Sequence, residues 1–252
     1  MKTFFVDKYS VLTFFIVIAA SFFIISFANS SEPVYSSFGN MLPIYSVETK
    51  EKAVSITFDT AWGCEDIDAI LSALYTSDCK ATFFISGKWL SSYPEEAEKI
   101  FKAGHEIANH GNAHEHFSSL SNQQMADSIN ECDKKIKSIT GKDNLLFRAP
   151  YGEYNKTLVS VCRFMGRYLV QWSIDTLDYK DLSLPQIKER IFQKLNNGDI
   201  ILLHTGTKNT AAFLPEILRE ISDKGYKFKT VGELIYKDNF TIDHRGRQSS
   251  IN

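Results

Sequence analysis

The sequence predicts an α/β domain whose parallel sheet closes, or nearly closes, into a barrel. Three observations point there. Short apolar runs rich in β-branched residues alternate with segments whose apolar residues recur at helical spacing. Ile200 to Leu203 is apolar on successive residues, as expected of a strand buried on both faces. Five such strands are each followed by a reactive side chain, and α/β barrels build their chemistry at that end of the strands.

The central strand is Ala53–Phe58, where Val54, Ile56 and Phe58 alternate with Ser55 and Thr57 and lead into Asp59. Ile67, Ile70, Leu71 and Leu74 then mark a helix over Glu65–Ser77, and Lys80–Ser86 reads as the next strand. Pro94 opens a helix that Gly104 closes, and a strand over His105–Asn109 runs into His110. Ser121 and Gln124 form a capping box ahead of Met125, Ile129, Cys132 and Ile136, and Gly141 stops that long helix. Leu145–Phe147 and Tyr168–Ile174 are strands separated by a helix through Leu158, Val159 and Cys162. Pro185 begins a helix ended by Gly198, and the Ile200–Leu203 strand leads into His204. A helix with Leu214, Ile217, Leu218 and Ile221 that ends at Gly225, a strand over Tyr226–Val231 and a turn through Leu234 and Ile235 complete the domain.

Length and composition bound the rest. The 252 residues hold one domain with an ample core, and 28 Lys+Arg against 30 Asp+Glu leave no basic footprint, so no nucleic-acid partner is expected. Tyr9 to Ser31 carries no charge, and Lys2 and Lys8 precede it. That run reads as a membrane-spanning anchor with the catalytic domain outside the cytoplasm, or as a cleaved signal peptide that leaves the domain secreted. The expected organisation is 1–30 anchor or signal, 31–50 linker, 51–237 the α/β domain and 238–252 a loose polar tail. Four cysteines lack paired metal or redox spacing and read equally as oxidised or as buried thiols. Cys64 alone stands close enough to Asp59 to suggest the site.

An acid at a strand end, such as Asp59, is costly to bury unless paired or used. His110 and His114, four residues apart, can aim two imidazoles at one cation. Arg148, fixed by Pro150 and Gly152, can hold a carboxylate, and His204 has Asp175 and Asp178 as candidate partners. A glycosidase using Asp59 and Asp175 as its carboxylate pair leaves both histidines without a task.

These residues carry a family resemblance. Thr57-Phe-Asp59, His110-x-x-x-His114, Arg148-x-Pro-Tyr-Gly152, Asp175-x-x-Asp178-Tyr179 and Leu202-x-His204 resemble, in order, the five motifs of polysaccharide deacetylases, the NodB-homology family-four carbohydrate esterases. The wording Thr57–Gly63 resembles the sporulation-associated PdaB-type branch. The resemblance implies an irregular (β/α)7 barrel that removes N-acetyl groups from cell-wall glycan, spore peptidoglycan in particular, with a divalent metal, zinc by expectation. It implies Asp59 as base positioned by Arg148, His110 and His114 as metal ligands, and His204 as acid tuned by Asp178 or Asp175. The Tyr151 backbone N–H would help stabilise the oxyanion, and Leu202 would line the acetyl pocket. Trp62, in the turn after Asp59, is this chain's own candidate substrate contact. Thr60 stands where the family carries a second aspartate as metal ligand, and Trp62 lies in a turn that departs from the usual Asp-Gly-Pro. A weakly held metal is therefore expected, and a weak or inactive relative that binds glycan or a partner is the alternative function.

Overall fold

The computed structural model describes residues 42–180 and 182–251. The chain begins with β1 (Ser46–Val47), β2 (Ala53–Thr60), α1 (Ile67–Thr76), β3 (Thr82–Ile85), α2 (Gly87–Ser92) and α3 (Pro94–Lys102). It continues with β4 (Glu106–Asn109), α4 (Asn122–Thr140), β5 (Leu146–Phe147), α5 (Lys156–Phe164), β6 (Tyr168–Leu169) and β7 (Ile174–Asp175). The remaining elements are α6 (Leu184–Phe192), β8 (Ile200–His204), α7 (Thr210–Asp223), β9 (Lys227–Phe228), α8 (Val231–Leu234), β10 (Phe240–Ile242) and β11 (Arg247–Ser250).

Strand β2 is buried along its whole length, and its side-chain period of two divides the molecule into layers. Val54, Ile56 and Phe58 face the helices, where they join Ile67, Ile70 and Leu74 of α1 and Leu214, Ile217 and Leu218 of α7 in the largest apolar cluster. The other face of β2 carries Ala53, Ser55, Thr57 and Asp59 into the concave interior, a face too polar to be simple core. Residues Phe84, Ala108, Leu146, Val170 and Ile200 line the apolar part of that interior with Ala53. A one-residue slip of β2 would exchange the two faces, so the hydrophobic pattern fixes its register.

The sheet order is β6-β5-β4-β3-β2-β8-β7, every pair parallel, with β9 also pairing with the start of β2. It is a curled half-barrel and not a closed barrel. The strand expected over Tyr168–Ile174 is broken into β6 and β7, with residues 170–173 outside both, so the sheet ends instead of closing there. The chain around β1 covers the opening. Ile44 bridges Val170 beyond β6, and Ser46 bridges Asp199 ahead of β8. Gly198 permits this approach, because a Cβ there would lie 1.8 Å from the Val47 carbonyl oxygen.

Helix boundaries follow the expected signals closely. Ser121 and Gln124 make the reciprocal capping box of α4, and Gly141 ends that helix at φ 68°. Helix α2 escaped the sequence reading because its six residues are too few to establish a period. Polarity leaves residues 238–252 as a loose tail, yet β10 and β11 form a hairpin that pairs in parallel with β1. The reason is satisfaction of backbone polar groups in a buried place: the Gln248 side chain accepts from Tyr236 N–H at 2.9 Å and donates to Tyr236 C=O at 2.7 Å.

The expectation of a membrane-spanning helix, with the attachment and location inferred from it, is corrected. Among the described residues no helix is long and apolar enough to cross a membrane. The apolar run Tyr9–Ser31 on which it rested lies outside the described residues. All four cysteines are free thiols.

Gln248 is fully buried, so Gln248→Leu should leave the Tyr236 amide and carbonyl without partners at nearly constant side-chain volume. The expected loss is ~1–3 kcal/mol, read as a lower urea midpoint with unchanged m-value. An unchanged midpoint would show that the hairpin does not contribute to the stability of the domain.

Candidate active site

Parallel register assembles the site. Asp59 at the end of β2 is paired directly with His204 at the end of β8, and Asp175 on β7 is level with Leu202. His110 and Arg148 directly follow β4 and β5 at the same end of the sheet. A cavity of about 310 Å³ opens there, lined by Asp59, Trp62, His110, His114, Tyr151, Gly152, Trp172, Asp175, Tyr179, Leu202 and His204. Eight of the ten expected positions line it, and the other two, Arg148 and Asp178, are hydrogen-bonded to the lining residues Asp59 and His204. Leu202 shows the pattern most plainly, a buried strand residue that lines the cavity.

At the base of the cavity lies a buried ion pair. Arg148 has no exposed surface and donates from Nη1 to Asp59 Oδ1 at 2.7 Å and to Thr57 Oγ1 at 3.0 Å. Its Nη2 donates to the Gln171 carbonyl at 3.0 Å, and its guanidinium lies 4.0 Å from the Phe84 ring centre. Burial would push the Asp59 carboxyl up, but Arg148, with smaller contributions from His110 and His204, holds it below its ordinary value. Asp59 is therefore an ionised carboxylate at neutral pH, with Oδ2 turned towards His110 Nε2 at 3.6 Å.

His110 Nδ1 lies 2.9 Å from the Arg148 carbonyl, which can only accept, so that nitrogen carries the proton. Burial keeps the ring below its ordinary basicity against the pull of Asp59, and Nε2 of the neutral imidazole bears the lone pair. His114 adopts φ 58° and meets the Tyr151 hydroxyl with Nδ1 at 3.1 Å. Burial, then the neighbouring His110, lowers its pKa to about 4. The two rings stand 5.1 Å apart between centres.

His204 is the opposite case. Its Nδ1 is 2.8 Å from Asp178 Oδ1, and its backbone N–H donates to Asp178 Oδ2 at 2.8 Å. Burial disfavours the imidazolium, but the hydrogen bond and charge of Asp178 outweigh it and raise the His204 pKa above 6.5. Asp175 makes no such contact: its Oδ1 accepts from Leu177 N–H at 2.9 Å while the side chain lines the cavity. The geometry thus places Asp178, and not Asp175, on His204. Thr210, which sequence reasoning missed, donates to Asp178 Oδ2 at 2.5 Å from the start of α7. Gln171 and Trp172 were also missed, since neither falls in a recognisable pattern.

Left-handed backbone at non-glycine residues is uncommon and clusters where a site needs an unusual direction. His114, Tyr151 and Leu177 all adopt it, at φ 58°, 61° and 54°. Each lies on a loop that aims a cavity residue, and Leu177 separates the diverging Asp175 and Asp178.

The donors do not fit a fully formed metal site. Catalytic zinc ordinarily takes three protein ligands. His110 and His114 offer two neutral imidazoles, and the third position is Thr60, whose buried hydroxyl has no hydrogen-bond partner. Among the described residues no group of three or more His, Cys, Asp or Glu is arranged to hold a metal. Cys64 packs against the core, and the Asp66 carboxylate accepts from Gly206 N–H at 2.9 and 3.0 Å, so neither substitutes for the missing carboxylate. The arrangement of acid, base and imidazoles remains consistent with the metal-dependent mechanism of its relatives.

Comparison with known proteins agrees with the motif order. Residues 46–170 match the family model described as polysaccharide deacetylase. The uncharacterised protein YlxY of Bacillus subtilis is 32% identical over 193 residues, which are 77% of this chain and 60% of that one. The chain thus spans less than two thirds of that relative. A peptidoglycan-N-acetylglucosamine deacetylase of Bacillus cereus is 32% identical over 196 residues, 76% of this chain and 92% of that protein. Among solved structures, a mutant CE4 family pseudoenzyme of Bacillus anthracis with restored enzymatic activity superposes at a TM-score of 0.74 with 29% identity, covering 79% of this chain and 73% of that one.

The Asp178–His204 pair makes a pH prediction. Because the folded pKa of His204 is raised above 6.5, its contribution to stability is complete below 6.5 and is lost as pH rises through the folded value. Asp178→Asn should lower the His204 titration midpoint measured by NMR and flatten stability across that window. An unshifted midpoint would show that Asp178 does not control the imidazole.

Proposed function

We propose a reaction for this pocket on the premise that the chain belongs to the polysaccharide deacetylase family. The reading is hydrolysis of the N-acetyl group of an N-acetylated cell-wall glycan, with peptidoglycan favoured by the names of the relatives. The finer assignment to spore peptidoglycan and the PdaB-type branch rests on sequence resemblance alone.

The observation that carries the reading is the register of Asp59 with His204, which sets an ionised carboxylate beside a raised-pKa imidazole in one cavity. Asp59 takes a proton from water as it attacks the acetyl carbonyl carbon, and Arg148 holds the carboxylate in place. His204, with Nδ1 held by Asp178, has Nε2 left to protonate the leaving amine. Donors aimed at the developing oxyanion supply the remaining stabilisation, and the Tyr151 backbone N–H has that role by family resemblance. Leu202 offers an apolar wall for the acetyl methyl. The result is acetate and a free amine on the sugar.

His110 and His114 are the side chains that would hold a divalent cation, zinc by donor type, and two neutral donors hold it weakly. A second reading is a catalytically weak or inactive relative that binds glycan through the same cavity. Thr60, with its unpartnered hydroxyl at the family's carboxylate position, favours it, as does the similarity to a pseudoenzyme.

Acetate release from an N-acetylated oligosaccharide tests the first reading. Asp59→Asn and His204→Ala should each lower kcat by roughly 10²–10⁴-fold with unchanged circular dichroism. New reducing ends in place of acetate would identify a glycosidase and overturn the reading. Glycan binding without acetate release would leave the second reading standing.

Thr60→Asp should tighten zinc binding by calorimetry, because it restores an anionic oxygen at the position where the family resemblance implies a metal ligand. Tight binding by the wild type that Thr60→Asp leaves unchanged would sink the idea of a weak two-imidazole site.

A further inference from the structure

Large exposed aromatics are uncommon enough to require an account when they gather at one place. Trp62, Tyr151 and Tyr179 are 50%, 53% and 54% exposed, and all three line the cavity that holds Asp59 and His204. Tyr151 is spoken for, stacked on His116 at 4.1 Å and edge-on to His114 at 4.6 Å. Trp62 and Tyr179 both stand next to His204, with ring centres 6.2 and 5.1 Å from the imidazole.

The turn that carries Trp62 is fixed rather than loose. The buried Trp89 indole N–H lies 2.8 Å from the carbonyl oxygens of both Trp62 and Gly63. Asp66 ties the same turn to Gly206, directly beyond the strand that ends in His204. Gly206 adopts φ 68°, and a Cβ there would also press within 3.1–3.2 Å of the Trp62 carbonyl and the Gly63 nitrogen, so this position favours glycine. Three restraints therefore hold the backbone while half of the indole stays in solvent. A rigid, exposed aromatic loses little conformational freedom when a ligand covers it.

We propose that the exposed face of Trp62 is the platform on which a pyranose ring of the glycan lies, and that with Tyr179 it fixes which sugar is presented to Asp59 and His204. The proposal rests on the glycan reading above and names the residue that grips the chain. A pyranose has an apolar C–H face that suits an aromatic ring and polar hydroxyls around its edge. The cavity matches that division, with Trp62, Tyr179, Trp172 and Leu202 as apolar walls and carboxylates and imidazoles between them. Among the described residues no lysine or arginine lines it, which favours an uncharged sugar over a phosphorylated ligand.

The test is titration of the full chain with a soluble tetramer of N-acetylglucosamine, by calorimetry and by tryptophan fluorescence. Trp62→Ala should weaken binding roughly tenfold or more, the scale of a lost aromatic stacking contact. Trp62→Phe should keep most of the affinity while reducing the fluorescence change to the part that Trp172 reports, because Trp172 also lines the cavity and Trp89 is buried outside its lining. Circular dichroism of both variants should match the wild type, since the turn is held through its backbone. Wild-type binding that Trp62→Ala leaves intact overturns the platform and spares the glycan reading. Absence of both binding and acetate release in the wild type overturns both.

Discussion

The buried ion pair between Asp59 and Arg148 is the constraint on which the rest of the site depends. Neither charge is stable alone in a low-dielectric interior, and removal of one partner from such a pair costs about 3–5 kcal/mol. The concave interior therefore has to bring β2 and β5 together, and it has to engage the guanidinium from several directions, with only its Nε left without a hydrogen-bond partner. Thr57, the Gln171 carbonyl and the Phe84 ring do so, which explains polar residues on an otherwise buried strand face. The same pairing keeps Asp59 ionised and oriented, so one interaction serves folding and chemistry together.

Around that pair the molecule separates two histidines by environment. His110 is buried against a carbonyl and a guanidinium and is held neutral, while His204 is buried against Asp178 and is held protonatable. Identical side chains acquire opposite tendencies because complete burial outweighs the pull of Asp59 on His110, whereas the hydrogen bond and charge of Asp178 outweigh burial at His204. Such divergence is what acid–base chemistry at neutral pH requires.

Thr60 is the point where the site departs from a complete metal centre. Its hydroxyl is buried at the end of β2 with no partner, in a structure that otherwise satisfies its buried polar groups with few exceptions. Beside it the chain replaces a compact turn with Trp62, an exposed indole on a tightly held backbone. The site thus combines an incomplete set of metal ligands with an exposed aromatic beside Asp59 and His204.

The sequence by itself determined the alternation of the main sheet strands with their longer helices, the helix stops at Gly104, Gly141 and Gly225, and the strand-end positions of Asp59, His110, Arg148 and His204. Those features are local: they follow from hydrophobic period, capping residues and φ > 0 at glycine. It left open whether Asp175 or Asp178 serves His204, because both lie on one short loop, and the left-handed Leu177 that separates them is invisible in composition. The loss of barrel closure, the cover provided by residues 44–47 and the ordering of the polar hairpin were also decided elsewhere. Each depends on pairing between residues far apart in sequence, as when Gln248 satisfies the Tyr236 backbone beneath β1. Polarity marks such a segment as exposed, and only tertiary structure supplies the partners that bury it.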